Sequence, residues 1–509
     1  MNHKDVIIVS LPYTEPKPMI APILLSSCLG QKGITAKGID LSIKFTSDFV
    51  NKPYWTKLRS LLSHGIVGNA SVEKRIIVDV LKFIKIQLLD IKNTYNPKYL
   101  GLSIFTNESL NFCYLIIPYI KKYMPDTKII VGGRGLELKC GVTNKFDYEK
   151  FNSCGLADLI IVGDSESSLV DAIKHQRTGL IMSPQQTKDD IENIPVPQWD
   201  DYDLKLYDRF KFDKNKLDED QSYITVTGSK GCVRRCSFCD VASFWPQYIY
   251  RDGERIAEEI ITAYKKTGIV NYEFTDNLIN GSVSNYRKMN EVLATEIPNT
   301  IKYRGFAIYR GKNQMPDYDF EIAAKAGCSE WWIGVESGSE RIRNELKKKF
   351  SNDDMHHSIV NLHKLGIRQR FLMFVGYPTE TEEDFQQTLD FLKKYAPLNK
   401  DHMIRIYLTT TFMVLQNSPL ILNPIYKEKY GLKFNKDDNH FSRFFWTADC
   451  NPTNTFPERV RRWKIFVETM KDLGYHFAPG TPHDKNEAYI EDIEKIYYEK
   501  YGNKNYFQS

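Results

Sequence analysis

YITVTGSKGCVRRCSFCD, residues 223–240, runs from a candidate strand into a loop that holds Cys232, Cys236 and Cys239, with three and then two residues between them. Three thiolates at that spacing can each ligate one iron of a cubane [4Fe–4S] cluster, which leaves the fourth iron open to another ligand. A zinc site calls for four Cys or His ligands. The loop has no histidine and no fourth cysteine, and Asp240 would be an unusual substitute. The cluster reading therefore comes first, with the preceding strand opening a series of similar units.

That series continues downstream. Candidate strands lie at 223–227, 271–275, 301–308, 330–336, 369–376 and 402–410, and candidate helices at 254–267, 284–296, 316–326, 353–365 and 381–395. Six strands with helical crossovers of one hand predict a partial (β/α)6 barrel, whose active groups sit at the carboxyl ends of the strands. The barrel should span 221–411. Beyond it, 412–509 becomes aromatic, polar and mainly helical, the clearest element being ERVRRWKIFVETMKDLG (458–474).

Upstream, residues 1–195 alternate in the same way. VIIVS (6–10), TAKGID (35–40), YLGLSIF (99–105), TKIIVGG (127–133) and ADLIIVG (157–163) are short runs bounded by turn residues, with helices expected near 20–31, 109–123 and 166–175. Such runs predict buried parallel strands and a doubly wound α/β domain. Residues 44–97 interrupt it and read as an inserted helical arm. ENIPVPQWDDYDLKLYDRF (192–210), with two prolines and many polar residues, opens a linker assigned to 196–220.

Composition sets broad limits. Hydrophobic residues make up 42% and charged residues 26%, the balance of a folded globular chain, and the net charge of +5 gives no case for nucleic acid. No stretch reads as a signal peptide, and none reaches the roughly 18 apolar residues of a membrane helix. Nine cysteines is an odd number and six are scattered singly, which suits a reducing cytoplasm better than a disulfide framework.

The 228–240 loop resembles the signature of the radical S-adenosylmethionine (SAM) superfamily, and the resemblance extends over about 221–395. It implies that the three cysteines hold a [4Fe–4S] cluster whose open iron binds SAM. Reductive cleavage then yields a deoxyadenosyl radical that abstracts a hydrogen atom. Phe238 would lie near the adenine. Asp276 and Asn277, in YEFTDN, occupy the place of groups that meet the SAM amino group, although the family's usual Gly-Gly-Glu is absent. Glu336 and Ser337, in IGVESGS, look like the ribose and carboxylate contacts, and Gly376 and Pro378, in FVGYPTET, like the closing loop near the adenine. Arg310 and Lys348 would meet a carboxylate. Each has an ordinary alternative: packing, a helix cap, a turn or surface charge.

SLPYTEPKPMIAPILLSSCLGQKGITAKGID, GLSIFTNES, VGGRG and ADLIIVGDSESSLV resemble, in order, the cobalamin-binding domain that precedes the barrel in one class of these enzymes. By position, Pro12, Ser103, Thr106, Gly132, Gly133, Gly135 and the run Gly163 to Glu166 would line its pocket. Strand-to-helix turns would explain the glycines equally well. The Asp-x-His-x-x-Gly segment that would ligate cobalt is missing, so a domain that has lost cobalamin stays open. With cobalamin, the resemblance implies methylation of an unactivated carbon. Without it, radical rearrangement, cyclisation or epimerisation follows, and a non-catalytic iron–sulfur or cobalamin sensor is the remaining class. A methylthiotransferase fits less well, because the early cysteines do not match its opening motif. The partners expected are a substrate of unassigned class and an electron donor such as flavodoxin or ferredoxin, with no membrane. Cys450 and the aromatic run HFSRFFW (440–446) are candidates for a substrate wall, with ordinary core as the alternative.

Overall fold

The computed structural model describes residues 3–13, 18–64, 71–137, 139–140, 145–209, 223–408, 411–434, 443–477 and 483–502. Residues 210–220 of the expected linker and 440–442 of the aromatic run lie outside them. The chain divides into two compact units, Met1–Thr225 and Val226–Ser509.

In the first unit six strands form one sheet. They are β1 (Val6–Ser10), β2 (Ala36–Asp40), β3 (Tyr99–Ser103), β4 (Lys128–Gly132), β5 (Leu159–Val162) and β6 (Gly179–Met182), in spatial order 2-1-3-4-5-6 and all parallel. Alternate residues serve opposite faces. Ile7, Val9, Ile129 and Val131 enter one core, whereas Val6, Ile8, Ile130 and Ile161 enter the other. Helices α1 (Ile20–Gly30) and α6 (Glu166–Lys174) cover the second face, and α5 (Asn107–Tyr123) covers the first. Strand β6, half exposed along its length, was not legible as a strand.

Two expectations change here. The described residues of 44–97 do not project as an arm. Helices α2 (Leu41–Phe49), α3 (Trp55–His64) and α4 (Ser71–Tyr95) bury Phe45, Leu61, Val80 and Leu88 in the same core as Ile7 and Val131. Phe45 meets Phe83 of α4 and Phe112 of α5 edge-on at 5.4 and 5.5 Å. An amphipathic face and an uncovered sheet face satisfy each other, so the insertion becomes a layer. The described part of the linker is not free either. Trp199, Tyr202 and Tyr207 are buried, Asp201 pairs with Lys37 at 3.0 Å, and the Tyr207 hydroxyl donates to buried Asp40. Burying three large aromatic rings outweighs the extended habit of the neighbouring prolines.

The second unit is built on a parallel sheet that follows chain order. Its strands are β7 (Tyr223–Val226, crossing the unit boundary), β8 (Asn271–Phe274), β9 (Lys302–Ala307), β10 (Cys328–Glu336), β11 (Arg368–Met373) and β12 (Ile404–Tyr407). Helices α7 (Gly253–Thr267), α8 (Val283–Glu296), α9 (Asp317–Lys325), α10 (Asn352–Lys364) and α11 (Glu382–Tyr395) follow the first five. Local chemistry starts them: Ser282, Ser351 and Thr381 each accept a backbone N–H in the first turn of the helix that follows, as N-caps do. A seventh strand, β13 (His476–Phe477), adds beyond β12 after the long helix α12 (Phe456–Asp472). The carboxyl-terminal segment thus completes the sheet as well as supplying helices. No helix among the described residues is long and apolar enough to cross a membrane.

Candidate functional site

The cysteine loop leaves the carboxyl end of β7 and is pinned at its base. Ser229–Lys230 pairs antiparallel with Ile249–Tyr250. Gly231, at φ +78°, sits so close to Gln247 that a Cβ would fall 2.2 Å from its carbonyl oxygen. Only glycine fits the step into Cys232. Within the loop the Arg234 N–H donates to the Cys232 sulfur at 3.4 Å, and the Cys239 N–H donates to the Cys236 carbonyl at 3.2 Å. Burial raises the thiols of Cys236 and Cys239, the latter to about 12. What suits a metal site is the donor set itself, three soft sulfur ligands on one short loop. Among the described residues no three His, Cys, Asp or Glu side chains converge on one ion.

Beside the loop lies a buried ion pair. Lys348 Nζ stands 3.0 Å from Glu336 Oε1, with both side chains buried, and each lies close enough to Cys236 to shift its titration. Glu336 has φ +66° at a bulge ending β10, a conformation that costs an L-residue about 1–3 kcal/mol. Such strain gathers at functional positions. Lys348→Met should cost about 3–5 kcal/mol, since it strands a buried carboxylate, and the double variant with Glu336→Gln should recover most of that. Urea unfolding of the four proteins measures the cycle.

The other expected SAM contacts divide. Arg310 donates to the Asn280 and Gly281 carbonyls at 3.1 and 2.7 Å, which fixes it on the loop after β8, and it lies within electrostatic reach of Arg234 and Cys232. Phe238 packs edge-on against Phe374 and Phe412 at 5.5 and 6.3 Å. Asn277 is half buried after β8. Asp276, however, turns both carboxylate oxygens to the start of the loop, accepting from Gly228 N at 2.7 Å and Ser229 Oγ at 2.5 Å. It is a positioning residue. Ser337 is fully buried against Thr388 at 3.1 Å, and its oxygen also accepts the Ser339 N–H.

Burial raises the Asp276 carboxyl from 3.8 to about 7 against the pull of its hydrogen bonds. A group raised in this way favours the folded state below 3.8, and that contribution disappears as pH climbs through about 7. Urea unfolding at about pH 5 and about pH 8 should show the parent protein losing more stability than Asp276→Asn over that interval.

The closing loop 374–381 is held by residues that sequence reasoning missed. Asn454 Nδ2 donates to the Tyr377 carbonyl at 2.7 Å, and buried Glu380 accepts from Gly376 N at 2.7 Å and from Arg462 at 3.1 Å. Arg459 lies 3.8 Å above the Trp446 ring and donates to the carbonyls of Asn454, Phe444 and Trp446. Gly376, at φ +89°, is needed because a Cβ there would meet Arg459 at 2.3 Å. The available signal was the spacing of Arg459, Arg462 and Trp463, which places both arginines on the buried face of α12. Pro378 is buried, and its carbonyl lies 3.9 Å from the exposed Cys450. Trp446 belongs to the aromatic core with Phe412, as the ordinary reading allowed.

In the first unit, strand order 2-1-3 creates a crevice at the carboxyl ends of β1 and β3, where doubly wound sheets bind ligands. Pro12 and Ser103 flank it, and Gly132 follows in register with Ser103. Thr106 caps α5, Glu166 opens α6, and Gly163 is exposed at φ +91°. Gly133 and Gly135 serve the loop itself, since Cβ atoms there would lie 2.3 Å and 2.7 Å from Ile104. The positions fit a ligand at this edge, but those two glycines are required without one.

Residues 226–392 match the Radical SAM superfamily. An uncharacterized methyltransferase of Pyrococcus horikoshii is 23% identical over 330 residues, covering 62% of this chain and 66% of that protein. Cytidylyl-2-hydroxyethylphosphonate methyltransferase of Streptomyces wedmorensis is 22% identical over 213 residues, covering 40% and 39%. The chain thus spans less than two thirds of these curated relatives. Among solved structures, the radical SAM methyltransferase TsrM from Kitasatospora setae, with tryptophan and a SAM analogue bound, superposes with TM-score 0.60 at 13% identity, over 97% of this chain and 99% of that one. The cobalamin-dependent SAM radical enzyme OxsB, with aqua-cobalamin bound, gives 0.61 at 17% identity, over 99% and 74%. At such identities the likeness establishes the fold. Residues 226–392 are therefore a radical SAM domain, and the chain shares its fold with TsrM and OxsB.

Proposed function

We propose that this enzyme cleaves SAM reductively and methylates an unactivated carbon with the help of cobalamin. The observation that carries the first part is the pinned loop presenting Cys232, Cys236 and Cys239 beside the Glu336–Lys348 pair, within a domain that matches the superfamily. A [4Fe–4S] cluster on those thiols would supply one electron to SAM at the open iron. Around it, Gly231 and Asp276 hold the loop in place, and Glu336, Arg310 and Lys348 supply charge for the polar ends of SAM. Cobalamin in the crevice of the first unit would supply methyl transfer. Its support is the fold shared with OxsB and the position of Pro12, Ser103 and Gly132 at the carboxyl edge of the sheet.

The close approach of Gly133 and Gly135 to Ile104 favours one second reading, a domain that keeps the shape without the corrin. The reaction would then be a cobalamin-independent rearrangement, cyclisation or epimerisation. Anaerobic purification with iron and hydroxocobalamin, followed by absorption spectra and assay of deoxyadenosine after reduction with SAM, decides among these. Bound corrin with deoxyadenosine supports the methylase, deoxyadenosine without corrin supports the second reading, and neither product nor cluster overturns both. The electron source is a low-potential carrier protein. The compartment we assign is the cytoplasm, because cysteines scattered singly along the sequence suit a reducing environment.

A further inference from the structure

We propose that the surface around the helix Pro424–Tyr430 receives an acidic one-electron carrier protein, and that a buried chain of hydroxyl groups joins this surface to the cysteine loop. The inference rests on the cluster reading above.

The surface has the composition of an interface. Leu422 and Ile425 are 56% and 69% exposed, large for apolar side chains in a well-packed unit. Cations stand beside them. Lys427 and Lys429 are exposed on the same helix, Lys347 lies 5.1 Å over the ring of Tyr426, and Lys349 holds Arg234 of the cysteine loop through its carbonyl at 3.3 Å. Of the nearby carboxylates, Glu345 and Asp449 are paired with Lys429 and Lys433 at 2.6 and 2.7 Å, and Glu428 remains on the helix. Among the described residues the balance is positive. An apolar centre with a cationic rim selects a partner of opposite charge and speeds its encounter.

Beneath the helix the hydroxyl chain begins at Glu345. The Tyr430 hydroxyl donates to Glu345 Oε2 at 2.8 Å and accepts from the Tyr377 hydroxyl at 3.1 Å, which in turn shares a 2.9 Å hydrogen bond with Ser237 Oγ. Ser237 stands between Cys236 and Cys239, and its carbonyl accepts from Leu420 N at 2.9 Å. Tyr377, Tyr430 and Ser237 are fully buried. Covalent and hydrogen bonds thus run without a van der Waals gap from a half-exposed carboxylate to the cysteine loop, the kind of path along which an electron tunnels well. A [4Fe–4S] cluster held by Cys232, Cys236 and Cys239 would accept the one electron that the carrier gives up. No proton need move.

The test uses full-length, reconstituted protein and a flavodoxin, reduced by NADPH and its reductase, as the probe, with dithionite as the second reductant. In the doubly substituted Lys347→Glu, Lys427→Glu protein, flavodoxin-driven SAM cleavage should fall about tenfold in kcat/KM and lose its salt dependence, while the dithionite-driven rate stays at the parental value. Direct titration should show flavodoxin affinity falling by a similar factor. Unchanged flavodoxin kinetics and affinity would overturn the docking surface, as would an equal loss with both reductants. Failure of the parent protein to cleave SAM with dithionite would instead sink the cluster reading, and the titration would still decide the docking.

Discussion

Cys236→Ala, reconstituted anaerobically, is expected to hold no [4Fe–4S] cluster and to make no deoxyadenosine. Of the three thiols Cys236 is the most enclosed, at 9% exposure, and it lies nearest in charge terms to the Glu336–Lys348 pair. Water cannot readily replace a ligand there. Two remaining cysteines would leave two irons without protein ligands, so the assembly loses its charge balance as well as one bond. Absorption in the iron–sulfur charge-transfer region and chromatography of the SAM cleavage product measure the two losses separately. Circular dichroism should remain that of the parent protein, since the loop is pinned by Gly231, Ser229 and Asp276 rather than by the thiol. A variant that kept either cluster or cleavage would refute the assignment.

The largest expected effect on stability is at Arg459. Its guanidinium answers three buried carbonyls and covers the Trp446 ring, so Arg459→Ala leaves three acceptors without donors and opens a void among Gly376, Trp446 and Phe456. Each unsatisfied acceptor costs about 1–3 kcal/mol, and the total should exceed about 4 kcal/mol. Arg459→Lys should recover only part of this, because an ammonium group cannot fork to three carbonyls. Urea unfolding followed by tryptophan fluorescence reports it. The closing loop 374–381 should loosen at the same time and become a site of proteolytic cutting, which limited proteolysis would detect.

Much of the architecture was legible because it depends on local signals. Strand runs bounded by turn residues placed all five expected strands of the first sheet and all six of the second, and the patterns between them placed the helices that follow. The cysteine loop was the clearest signal, since its spacing singles out three thiols and its resemblance points to the family that residues 226–392 match. Asp276 and Ser337 show the limit of that method. Their places at strand ends follow from pattern, but the partners their oxygens choose follow from neighbours 48 and 51 residues away. Arg459 and Arg462 were hidden for a related reason. Arginines on an amphipathic helix read as solvent-facing until a three-dimensional neighbour supplies carbonyls and a carboxylate to receive them. The insertion at 44–97 failed as an arm because a helix can be recognised from its own residues, whereas the sheet face it covers cannot.

The last strand of the second sheet, His476–Phe477, pairs beside β12 although it comes roughly 250 residues after β7. During synthesis at about 5–20 residues per second, tens of seconds separate the emergence of the cysteine loop from that of the strand that finishes the sheet. For that interval the nascent sheet ends at β12, the edge opposite β7, with that strand's outer side still unpaired. An uncovered edge is a template for wrong partners, so the chain stays vulnerable to misassociation until those two residues arrive.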